Sequence, residues 1–202
     1  MTTPRDLFIV ALDVGQPSRP VESGDLSLAL AGAELIDLLK LPAGRLDDGR
    51  IVPGRLPAPT DRILEEAAAS FVRQEPFESV SDWLWRRGNS LAGKYLAALE
   101  AEGAVVPQGK HHFRGGRKVL ADSPSRRHAA ERWAASEPVL VALAESLGVR
   151  GEQQTGDRPD DVDHVVATVV AGVNDALLEL EAERQRRGVE QAAFDNIWRG
   201  LE

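Results

Sequence analysis

The chain has no cysteine among its 202 residues. Disulfide frameworks, thiolate nucleophiles and every cysteine-ligated zinc site are thereby excluded. It also lacks long apolar runs. The longest, around Val165 to Val173, falls far short of the ~20 residues that a bilayer-spanning helix needs. The start, Met1-Thr2-Thr3-Pro4-Arg5-Asp6, has neither the charged opening nor the apolar stretch of a signal peptide. These absences predict a cytoplasmic protein, at most peripheral on the inner face of the membrane. Missing too are a Gly-x-Ser-x-Gly elbow, a Walker loop and a dinucleotide glycine fingerprint. Neither an enzyme nor a cofactor is expected.

Hydrophobic residues at 43% and charged residues at 28% are the proportions of an ordinary globular protein. The length suits one well-buried core, so residues 1–202 are expected to form a single domain. Net charge is −8, unevenly placed. From Arg86 to His128, nine Arg/Lys stand against three acids, so that segment carries +6 and the remainder −14. A local excess of this kind steers anionic partners even in an acidic protein.

Periodicity and turn signals predict a mainly α fold. Expected helices are Arg5 to Leu12, an amphipathic Asp25 to Leu41 ended by Pro42 and Gly44, and one capped by Thr60 or Asp61 that runs to about Arg73. Others cover Ser79 to Arg87 and Leu91 to Glu102, the latter closed by Gly103. Ser125 to Leu147 reads as a helix broken near Pro138. Asp160 to Arg187 reads as a long helix with a wholly buried valine centre, which Gly188 separates from a last helix, Val189 to Leu201. A short β-hairpin is expected near residues 45–52 around Asp48-Gly49, and a protruding basic β-hairpin near 104–121.

Four stretches in order, Asp6–Leu12 (DLFIVAL), Ala31–Asp37 (AGAELID), Thr60–Glu66 (TDRILEE) with Val80–Leu84 (VSDWL), and Leu99–Val105 (LEAEGAV), resemble the Golgi phosphoprotein 3 family. The likeness is to its bacterial, actinobacterial-type branch. It implies a nearly all-helical fold with a protruding hairpin and no enzymatic activity. It further implies a peripheral membrane protein that binds phosphatidylinositol 4-phosphate in a shallow basic pocket and inserts an apolar hairpin. The family's pocket tryptophan and three arginines align with Glu22, Ala31, Asn89 and Ala92, so none is retained.

The expected lipid contacts are therefore Arg86, Arg87 and Lys94 near the lost positions, with Lys110, His111, His112, Phe113, Arg114, Arg117 and Lys118 on the hairpin. Basic residues beside an anionic bilayer contribute about 1 kcal/mol each. The expected partner is an anionic membrane surface or a phosphoinositide headgroup.

Two alternatives come from other classes. One is a scaffold with protein partners that has lost lipid recognition. The other is a winged-helix-like DNA binder using Ser90–Glu102 and the wing Lys110–Lys118, disfavoured because Lys94 is the lone cation of that helix beside Glu100 and Glu102. The run Asp160, Asp161, Asp163, His164 reads as acids favouring a helix start over a metal site. Trp83, Trp85, Trp133 and Trp198 read as core or interhelical anchors.

Overall fold

A computed structural model describes residues 2–13, 21–55, 61–107, 118–150 and 163–199, with side chains as far as residue 191. Within them lie helices α1 (Thr3–Asp13), α2 (Ser23–Lys40), α3 (Arg62–Ala69), α4 (Val80–Arg87), α5 (Leu91–Ala101), α6 (Pro124–Ala134), α7 (Pro138–Ser146) and α8 (His164–Arg199). Two antiparallel hairpins complete the fold, β1 (Gly44–Asp47) with β2 (Arg50–Pro53), and β3 (Val105–Pro107) with β4 (Lys118–Leu120). The fold is mainly α, with both hairpins where the sequence puts them.

Helix α2 is the axis of the molecule. Every residue from Leu26 to Ile36 is buried, and α1, α3, α4, α5, α7 and α8 all pack on it. The expected one-sided helix is thus buried all round, as an apolar helix must be when neighbours cover every face. Two glycines permit close packing there. A Cβ on Gly32 would meet Val173 Cγ2 at 2.4 Å, and one on Gly172 would meet Val80 Cγ1 at 3.0 Å.

Capping side chains explain where several helices start. Asp61 Oδ1 accepts from the amides of Ile63 and Leu64, Ser79 Oγ from Asp82, Ser123 Oγ from Arg126, and Glu137 from Leu140. Helix α3 stops at Ala69, short of Arg73, because Ser70 Oγ turns back onto the Ala67 carbonyl and Phe71 folds against Trp83, ring centroids 4.9 Å apart. In the first hairpin, Asp48 and Gly49 have φ of 48° and 72°, the paired left-handed residues of a type I′ turn. Gly103, at φ 70°, closes α5 and turns the chain into β3.

Two expectations for α8 need correction. Val166, Val169, Val173 and Ala176 are buried at helical spacing, but Val165 and Val170 are only half-buried. The helix also continues through Gly188 to Arg199. A mid-helix glycine costs roughly 1 kcal/mol relative to alanine, too little to break a helix of 36 residues.

Candidate functional site

Of the expected lipid contacts, Arg86, Arg87, Lys94 and Lys118 lie among the described residues, in different surroundings. Arg87 lies on the Trp83 face of α4, one turn on, and points inward. Its side chain is 7% exposed, and Nε and Nη2 donate to Glu34 at 2.7 and 3.0 Å. Nη2 also reaches the Ile63 carbonyl, and the Tyr95 hydroxyl donates to Glu34 at 2.9 Å. Burial pushes the Glu34 carboxyl up, against the hydrogen bond from Arg87. Burial, reinforced by Glu34, holds the Tyr95 phenol well above its ordinary value. Arg87 is therefore a core ion pair, with its charge spent on α2.

Arg86 stays at the surface, but Nε and Nη2 fork onto Glu78 at 2.6 and 2.7 Å, while the guanidinium lies 5.3 Å from the Trp83 ring centroid. Lys118 on β4 pairs with Glu100 of α5. Arg126 meets Asp13, and Arg127 meets Asp122, each at 2.7 Å. Lys94 is exposed and makes no ion pair among the described residues. Lys110, His111, His112, Phe113, Arg114 and Arg117 lie outside the described residues. Three of the nine cations read along the chain are thus matched by acids from outside the segment, Glu34, Glu78 and Asp13.

A cleft of about 380 Å³ opens at the N-terminal end of α2. Ser23, Gly24, Ser27 and Leu28 form one wall, Trp85 with Gly88-Asn89-Ser90 another, and Leu180 of α8 the third. No charged side chain lines it. Ser27 Oγ is committed, donating to the Ser23 carbonyl and accepting from the Ala92 amide. Above it, Arg184 of α8 holds Glu22 at 3.1 Å and Asp25 at 2.7 Å, fastening the long helix to the start of α2. Of the four positions aligned with the family pocket, Asn89 lines this cleft and Glu22 stands beside it. Ala92 is 5% exposed, and Ala31 is wholly buried, its carbonyl accepting from Trp83 Nε1 at 3.0 Å.

Trp85, which reads in the sequence as a core or interhelical anchor, is 37% exposed on the rim of this cleft. The reason is helical geometry. Residues two apart sit about 200° round the axis, so Trp83 inside puts Trp85 outside. The spacing Trp83-Leu84-Trp85 carried that signal. Trp133 is half-buried against the core, and the Trp198 side chain lies outside the described residues. Asp163 Oδ1 accepts from the Val165 amide and so caps α8, while Asp160 and Asp161 lie outside the described residues.

A model of the Golgi phosphoprotein 3 (GPP34) family matches residues 4–196. The chain belongs to the Golgi phosphoprotein 3 family. No curated protein matches it. Near the aligned pocket position Asn89, this Golgi phosphoprotein 3 domain has a cleft with an exposed tryptophan and, among the described residues, no charged lining side chain. Among the described residues, no helix is long and apolar enough to cross a membrane.

Proposed function

We propose that this protein is a non-enzymatic, peripheral membrane protein that attaches to anionic phospholipid through Trp85, Lys94 and the basic hairpin. One observation carries the reading: an exposed indole, Trp85, on the rim of the α2 cleft. Tryptophan settles where one end of a side chain is wet and the other apolar, as at the headgroup level of a bilayer. Lys94 with Lys110, Arg114 and Arg117 supplies roughly 4 kcal/mol toward an anionic surface, about millimolar attachment. Phosphatidylinositol 4-phosphate is the finer reading that family membership supports. The inner face of the cell membrane is the corresponding location.

Co-sedimentation with anionic and neutral vesicles at low salt tests this. Binding to anionic vesicles is expected to exceed binding to neutral ones and to fade as salt shortens the Debye length below ~8 Å. Equal binding to both sinks the reading. Exchanging phosphatidylinositol 4-phosphate for another anionic lipid at matched charge then separates headgroup recognition from plain electrostatics.

A further inference from the structure

At the opposite end of α2 lies a second cleft, of about 420 Å³, with different chemistry. Its lining brings together Thr2 and Thr3 at the start of α1, Asp37 and Lys40 in the last turn of α2, and His128 and Arg132 of α6. Leu41 and Leu64 give it an apolar floor. The volume falls within the range of small-molecule pockets.

The charges in this cleft are settled for some groups and open for others. Fully buried Asp6 takes Arg132 Nη1 at 2.6 Å and His128 Nδ1 at 3.2 Å, and Arg132 also reaches Glu137 at 3.0 Å. Those groups are matched. Asp37 and Lys40 make no ion pair among the described residues. Spaced i, i+3, they share a face of α2, yet no contact within 4.0 Å joins them. Asp37 Oδ2 accepts the Thr3 amide at 2.8 Å, and its carboxylate feels the charges of Lys40 and Arg132 without touching either. Lys40 is exposed and likewise makes no hydrogen bond or ion pair among the described residues. The Thr2 hydroxyl is buried in the same lining with no hydrogen-bond partner.

A lone anion here meets the open carboxylate of Asp37, and a lone cation meets Lys40 and Arg132. A metal finds no grouping of three ligating side chains among the described residues. What satisfies both open charges at once is a molecule with an ammonium at one end and an anionic group at the other. We propose that this cleft binds a small zwitterion, a primary ammonium seated on Asp37 and a phosphate or carboxylate facing Lys40. Free amino-alcohol phosphates and the headgroup of an aminophospholipid share that chemistry.

Calorimetric titration with O-phosphoethanolamine tests the site, with phosphocholine and inorganic phosphate as controls. O-phosphoethanolamine is expected to bind. Phosphocholine, which has no N–H to donate, and phosphate, which has no ammonium, are each expected to bind at least about tenfold more weakly, the worth of one charge-assisted hydrogen bond. Asp37→Asn and Lys40→Ala should each cost a similar factor, with folding checked by circular dichroism. Lys40 is exposed and unpartnered, so its variant keeps the test alive even if Asp37→Asn misfolds. A second arm uses neutral vesicles of phosphatidylethanolamine or phosphatidylcholine. Selective binding to the former assigns the site to a lipid headgroup, and binding of the soluble zwitterion alone assigns it to a free solute. Absence of both, or equal affinity for phosphocholine and O-phosphoethanolamine, overturns the proposal.

Discussion

The two ends of α2 carry opposite kinds of cleft. At Ser23–Leu28 the walls are hydroxyl, amide and indole, and the nearby acids Glu22 and Asp25 are tied off by Arg184. At Asp37–Lys40 the walls are charged, and two of the charges are left open. One helix thus presents a neutral, aromatic mouth and a polar, charge-bearing one. Between them the buried Glu34–Arg87–Tyr95 cluster and the glycine contact at Gly32 hold α4, α5 and α8 to the same axis. The two mouths differ because their surroundings differ. Trp85 reaches one from α4, whereas His128 and Arg132 reach the other from α6.

The comparison breaks most completely by removing what holds both ends in place. Arg87→Ala leaves Glu34 as an uncompensated buried charge and is expected to cost about 3–5 kcal/mol in urea unfolding. A loss below about 1 kcal/mol would mean that Arg87 is not the buried partner described here. The next effect down is Gly32→Ala. Its Cβ must displace the branched Val173 side chain, so an overpacking cost of about 1–3 kcal/mol is expected in the same assay.

The smallest effect sharpens the charged end alone. Burial pushes the Asp37 carboxyl above its ordinary value, opposed by hydrogen bonds from Thr3 and by the charges of Lys40 and Arg132. The folded state then holds the proton more tightly than the unfolded chain. That contribution is fully present below the unfolded value and is lost as pH rises through the folded one. Asp37→Asn removes the loss. The variant should match wild type near pH 3 and exceed it in stability at pH 7. A variant less stable at pH 7 contradicts this sign.

Much of the fold was legible because local signals agreed with the tertiary answer. Asp61 and Ser79 marked helix starts, Asp48-Gly49 a turn and Gly103 a helix end. The candidate site was less legible. Arg86 and Arg87 look equivalent along the chain, yet the turn of α4 sends Arg87 inward to Glu34, a partner 53 residues earlier. Charge counted along a segment has no access to such partners. Trp85 faces outward because it stands about 200° round α4 from the buried Trp83, an angle that residue type does not report. The charged cleft was out of reach of any local pattern, since Thr3 and Arg132, 129 residues apart, meet only in the packed molecule.

The most direct test sets the two ends against each other on one surface. Vesicles rich in anionic lipid are mixed at low salt with a Trp85→Ala/Lys94→Ala variant and, separately, with an Asp37→Asn/Lys40→Ala variant. The first is expected to lose most of its sedimentation with the vesicles and the second to retain it. Retention by the first variant at wild-type level would contradict attachment through the Trp85 face.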